Sequence, residues 1–277
     1  MTRGPRRLPG PLQRVSRPLR KLRLLSSYPA AIRNKPHLAL KYLLFDHETG
    51  NFTYAIANST ELTQAIASFF GVPFETVAGY IDELEKNDDL RNTLNSRLLP
   101  RHDRNPVALY GRRAGWYAIA RIIKPSLVVE TGVHDGLGSS VLLEALRRNG
   151  GEGRHGRLFG IDIDEHAGWL VPDKLAPLFT FIASSSLEAL PALRSQGPID
   201  LMIHDSDHRA SYELAEYRAV ASNLAPGALI LSDNAHASDA LADFSKEHQR
   251  RFFFWKEVPK GHFYPGAGIG MSALSEL

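Results

Sequence analysis

From Tyr110 to the C-terminus, short apolar runs alternate with amphipathic stretches. Strand-length runs occur at Leu127–Glu130 (LVVE), Arg157–Ile163 (RLFGIDI), Phe179–Ala183, Asp200–His204 (DLMIH) and Ala228–Ser232 (ALILS). The first four are each followed by a helical pattern, as in SSVLLEALRRN and ASYELAEYRAVASNL. Continuous apolar strands separated by helices predict a parallel sheet covered on both faces. The chain then ends differently. Arg251–Val258 (RFFFWKEV) and Gly268–Leu274 (GIGMSAL) are separated only by PKGHFYPGA, too short for a helical crossover, so these two strands should be antiparallel neighbours. The expected fold class is α/β, a mostly parallel seven-stranded sheet with an antiparallel last strand, plus a small N-terminal helical region.

Upstream of this body the pattern is helical from Asn58. Asn58 stands three residues before Glu61, as in a capping box, and Leu62, Ile66, Phe69 and Phe70 recur at helical spacing. A second helix is predicted near Pro73, with Val77, Tyr80, Ile81 and Leu84 on one face. Residues 25–57 show no clear period, and LLPRHDRNP (98–106) reads as a linker. The expected division is a basic disordered arm over residues 1–24, a helical cap region over 25–105 and a main α/β domain over 106–277.

Charge sharpens that division. Residues 1–45 hold eleven Lys or Arg and no acid, whereas the remainder holds 22 basic and 30 acidic side chains. The arm lacks the apolar segment of a secretory signal, and its first reading is a solvated tail. Contact with an anionic membrane is the functional alternative. An acidic body offers no footprint for phosphates, so no nucleic-acid partner is expected. The chain of 277 residues has no cysteine, which excludes disulfides, zinc-thiolate sites, iron–sulfur ligation and thiol catalysis. No run of eighteen apolar residues exists, and a cytoplasmic protein is expected.

The first strand leads into Glu130-Thr131-Gly132-Val-His134-Asp135-Gly136-Leu-Gly138-Ser139-Ser140. Gly132 and Gly136 allow a tight turn and close ligand approach, and Ser139 and Ser140 lie at the start of the next helix. The acid in front of the first glycine suits a cationic ligand better than a diphosphate, for which G-x-G-x-x-G is the usual spacing. A bare structural turn is the competing reading. At the tip of the second strand, Asp162 is placed to accept hydrogen bonds from both hydroxyls of a ribose. His134 and Asp135 are either ligand contacts or a solvent-facing turn.

Here the chain resembles the class I S-adenosylmethionine-dependent methyltransferases, whose sheet is Rossmann-like. The resemblance covers roughly residues 110–277, including the reversed final strand pair. It implies S-adenosylmethionine as cofactor, with Glu130, Thr131, Gly132, Gly136 and Ser139 on its methionine part and Asp162 on its ribose. Ser184 and Ser185 fall on the adenine side, or simply cap the helix LEALPAL.

A second cluster is Asp205-Ser-Asp207-His208 after the fourth strand, with Ser232-Asp233-Asn234 after the fifth. Neighbouring parallel strands end side by side, so Asp205, Asp233 and Asn234 can converge as a hard oxygen site for Mg²⁺ or another divalent cation. Such an ion would bind an acceptor hydroxyl, and His208 would take its proton. The alternative is that Asp207 and His208 cap the next helix and Asp233-Asn234 begin a turn. The pattern is similar to metal-dependent O-methyltransferases. Catechol O-methyltransferase has an Asp after the fourth strand and Asp-Asn after the fifth. The D-x-D-H form resembles the bacterial branch of macrolide-sugar and cephalosporin-cluster proteins, in which the His is the base. Asn234 stands where that branch usually carries a second acid.

His236 reads as a site neighbour and His204 as structural. Tyr110-Gly-Arg112-Arg113-Ala-Gly-Trp116 and Lys260-Gly-His262-Phe-Tyr264 are candidate substrate contacts or plain packing. The resulting expectation is metal-assisted O-methylation of a small-molecule hydroxyl, on a sugar or secondary metabolite. The chain could also self-associate through the helical cap. Rival readings are a metal-independent methyltransferase and a non-catalytic binding protein on the same fold.

Overall fold

The computed structural model describes residues 11–48 and 52–274. Seven strands form one sheet: β1 Leu127–Thr131, β2 Arg157–Asp162, β3 Phe179–Ala183, β4 Ile199–His204, β5 Leu224–Asp233, β6 Arg250–Lys256 and β7 Gly268–Leu274. Their order is β3-β2-β1-β4-β5-β7-β6. The first five are parallel, and β7 runs antiparallel to both β5 and β6. The order turns back between β1 and β4, which makes their carboxyl ends the crevice where open α/β sheets take ligands. Register aligns these ends: Thr131 lies beside Ile161 and His204, and His204 beside Ser232.

Both faces of the sheet are covered. On one face lie α7 (Arg113–Ile123) and α8 (Leu137–Gly151); on the other lie α9 (Ser186–Ala192), α10 (Ala210–Val220) and α11 (Ala240–Glu247). The strands therefore carry apolar residues on both sides, such as Val128 and Val129, each fully buried. Burying a side chain of this size contributes about 1.5–3 kcal/mol. The helices α4 (Ser59–Phe70), α5 (Phe74–Glu85) and α6 (Asp88–Leu98) add Leu62, Ile66, Leu84 and Leu94 to the α7–α8 cluster. They share the core of the main body.

Three differences from the sequence expectation have physical causes. First, Asn58 precedes α4 but its side chain does not cap that helix. It accepts from the Val258 N–H and donates to the Lys256 carbonyl, pinning the helix start to the end of β6. Second, the expected disordered arm is helical from Pro11 as α1 (Pro11–Ser26), followed by α2 (Pro29–Asn34) and α3 (Pro36–Phe45); residues 1–10 lie outside the described residues. The buried Lys21 ammonium donates to the carbonyls of Tyr42 and Leu43, so one of the arm's cations closes the end of α3. Third, the linker is tied down. Arg101 holds Asp103 through two hydrogen bonds and stacks over Trp169, while Arg104 reaches Asp135 in the glycine turn.

The N-terminal helices rest on the loop between β6 and β7 through Leu25, Tyr42, Phe52, Tyr54 and Phe263. A cavity of about 310 Å³ lies between α3, Tyr54 and this loop, with Lys41, Lys260 and His262 among its lining residues. Among the described residues, no helix is long and apolar enough to cross a membrane.

Candidate active site

The turn after β1 is built by close backbone approach. Gly132 has φ +84°, and a Cβ there would lie 2.0 Å from the Asp205 carbonyl oxygen. At Gly136 a Cβ would press on Gly168 and Val171. These glycines thus let β1 meet the end of β4 and let α8 meet the 168–171 turn, a packing demand that glycine spacing alone does not distinguish from ligand approach. Asp135 caps α8 by accepting from the Leu137 N–H. Burial raises its pKa, but His134, Arg104 and that N–H outweigh burial and hold it down at about 2. It is a structural anion.

Glu130, next to last in β1, is fully enclosed and accepts from the Ser139 hydroxyl. Burial dominates its ionisation and pushes its pKa up to about 8, against the pull of Ser139 and Arg113. Thr131 points elsewhere. Its hydroxyl donates to Glu216, which also gathers His204, Ser186 and Ser206 beneath the strand ends. Burial raises the Glu216 pKa, yet these partners outweigh it and hold it low. His204 is accordingly structural, as expected, and the Thr131 side chain is committed to the same network. Asp162 ends β2 and accepts from the His134 and Asp164 N–H groups, which joins the tip of β2 to the glycine turn. Ser185 precedes α9 without a side-chain cap, and the Ser184 hydroxyl bonds Glu188.

The ends of β4 and β5 do converge, but around arginine. Both carboxylate oxygens of Asp233 accept from Arg112, through Nε and Nη2. Arg112 Nη1 donates to Glu257 Oε1 at 3.0 Å and lies 3.4 Å from the Tyr54 hydroxyl, which itself donates to Glu257. Arg113 Nη2 stands 3.8 Å from Asp205, and its Nε has no hydrogen-bond partner. Asp205 is raised by burial and by the neighbouring Asp233 charge, whereas the guanidiniums hold Asp233 at about 2 despite its burial. These residues do not fit the expected divalent ion. Arg112 sets a permanent cation against both oxygens of Asp233, and Asn234, in a left-handed turn, directs its amide nitrogen to His208. Among the described residues, no group of three or more His, Asp or Glu side chains stands ready to hold a metal.

His208 does reach this centre. Its Nε2 lies 2.9 Å from the Asn234 amide nitrogen and 3.7 Å from Asp205, while Nδ1 has no partner. An amide that donates to Nε2 places the ring proton on Nδ1 and leaves Nε2 as the basic nitrogen. Burial, then the nearby His204, lowers the His208 pKa, so the ring is neutral at neutral pH. Asp207 instead stays outside, paired with Arg209 and accepting from its N–H. His236 is exposed, and partial desolvation likewise lowers its pKa.

Residues 129–235, the segment that carries the glycine turn and both acid clusters, match the family model of a methyltransferase domain. The chain carries a methyltransferase domain. No protein of curated function matches it, but solved structures share the fold. A Podospora anserina methyltransferase bound to S-adenosylhomocysteine is 15% identical over 73% of this chain and 95% of its own, with a TM-score of 0.51. A Bacillus cereus O-methyltransferase in complex with the same product is 14% identical over 78% and 97%, at 0.48. A putative O-methyltransferase of Klebsiella pneumoniae is 18% identical over 68% and 88%, at 0.47. At these identities the likeness is one of fold, the class I sheet with its reversed last strand.

In this methyltransferase the residues that sequence reasoning underrated are Arg112 and Arg113. Two adjacent cations directly before an apolar helix were the available signal. What hid their role is distance along the chain, since Arg112 and Asp233 are 121 residues apart.

Proposed function

We propose that this enzyme transfers the methyl group of S-adenosylmethionine to a hydroxyl of a small molecule, a sugar or secondary metabolite, with His208 as the base. The carrying observation is the meeting of His208 with Asp205 and Asn234 at the ends of β4 and β5, beside the glycine turn of β1. On the donor side, Glu130, Gly132, Gly136 and Ser139 would enclose the methionine part, Asp162 the ribose, and Ser184 and Ser185 the adenine. The methyltransferase family match and the product-bound Podospora neighbour support that donor.

The chemistry needs little beyond placement. The acceptor hydroxyl displaces the Asn234 amide from His208 Nε2 and loses its proton to that nitrogen as the oxygen lone pair attacks the methyl carbon. The carbon–sulfur bond breaks, its electrons return to sulfur, and neutral S-adenosylhomocysteine departs. A rigid sheet that aligns oxygen, carbon and sulfur supplies most of the advantage. No step through a divalent ion belongs to this reading, because the buried Arg112 guanidinium already supplies the positive charge at Asp233.

The test is transfer of a labelled methyl group from the donor to a panel of hydroxylated sugars and phenols. Label in an ether product, lowered about 10²–10⁴-fold in His208→Gln, is expected. Label found only on nitrogen or carbon acceptors would overturn the assignment.

A further inference from the structure

Oxygen donors suited to a hard cation gather at the ends of β4 and β5, yet the positive charge among them belongs to a side chain. Arg112 engages Asp233 through two nitrogens, a planar fork matched to a carboxylate, and spends a third on Glu257. The three side chains are nearly inaccessible, at 8%, 0% and 0% exposure. Arg113 adds a second guanidinium over Asp205. An ion entering here would have to displace a permanently charged group from a buried position and leave it without its counter-ions, a costly exchange.

We propose that Arg112 is a built-in cation standing in the place of a divalent ion, so that the centre excludes metal and Arg112 acts as a positioning residue for Asp233 and, through it, Asp205. The exclusion of metal stands whether or not the acceptor is a hydroxyl; only its bearing on the acceptor rests on the reading above. Removal of the Arg112 charge should uncover the latent oxygen site formed by Asp205, Asp233 and Asn234.

The experiment is a Mn²⁺ titration followed by electron paramagnetic resonance, on protein loaded with S-adenosylhomocysteine, for wild type, Asp205→Asn, Arg112→Gln and Arg112→Gln/Asp205→Asn. Wild type should leave the Mn²⁺ signal free. Arg112→Gln should bind Mn²⁺ at least about tenfold more tightly, and the double variant should lose that gain. Stoichiometric Mn²⁺ binding by wild type that disappears in Asp205→Asn would overturn the proposal, as would a folded Arg112→Gln that gains no affinity. If the Arg112 variants do not fold, the wild-type and Asp205→Asn titrations still test the exclusion of metal. Heat of S-adenosylhomocysteine binding in the same samples reports separately on the methyltransferase reading.

Discussion

At the scale of single residues, the site is governed by what burial does to charge. Glu130 is raised from an ordinary 4.5 to about 8 in the folded protein because its anion is stripped of water. The folded state therefore holds a proton that the unfolded chain has released, and stability falls as pH rises between roughly 4.5 and 8. Glu130→Gln should flatten that slope in thermal melts of the ligand-free protein; an unchanged slope would mean another group is responsible. His208 shifts the opposite way, so the acid limb of the transfer rate should lie below the ordinary histidine range and vanish in His208→Gln. Gly132 is constrained more simply, by a positive φ and by the Asp205 carbonyl. Gly132→Ala should cost about 3 kcal/mol or more, read as a lowered denaturation midpoint.

At the scale of elements, the strands were legible because a strand buried on both faces shows an unbroken apolar run, as in LVVE and ALILS. The antiparallel closure was legible from one short loop. What local pattern could not reveal were partners far along the chain. Asn58 has the look of a helix cap, but its amide is taken by residues 256 and 258, so α4 begins where β6 ends. Asn58→Ala should lose about 1 kcal/mol for each broken hydrogen bond, lowering the melting temperature by several degrees without shortening α4. The acid cluster met the same limit. Strand adjacency puts Asp205, Asp233 and Asn234 at neighbouring strand ends, yet the cations facing the two acids come from the start of α7. Trp116, fully enclosed on α7, packs beside Gly138 at the start of α8 and under the Arg113 guanidinium; Trp116→Ala should cost about 3–5 kcal/mol and disturb the arginine pair with it.

At the scale of the molecule, the chain holds one sheet whose carboxyl edge carries every candidate group, from Glu130 and Asp162 on β1 and β2 to His208 and Asp233 beyond β4 and on β5. From Lys21 onward, the basic N-terminal segment is drawn into that body. Lys21 closes α3, and the aromatic cluster around Tyr42 and Phe263 seats the N-terminal helices on the loop between β6 and β7. The acidic balance of the rest suits binding of a donor that carries a sulfonium charge. The most direct measurement is calorimetric titration of S-adenosylhomocysteine into wild type and Asp162→Ala. Micromolar binding in wild type, weakened at least about tenfold in the variant, is what a ribose anchor at the tip of β2 predicts. Folded wild-type protein that binds neither this product nor S-adenosylmethionine would contradict the account.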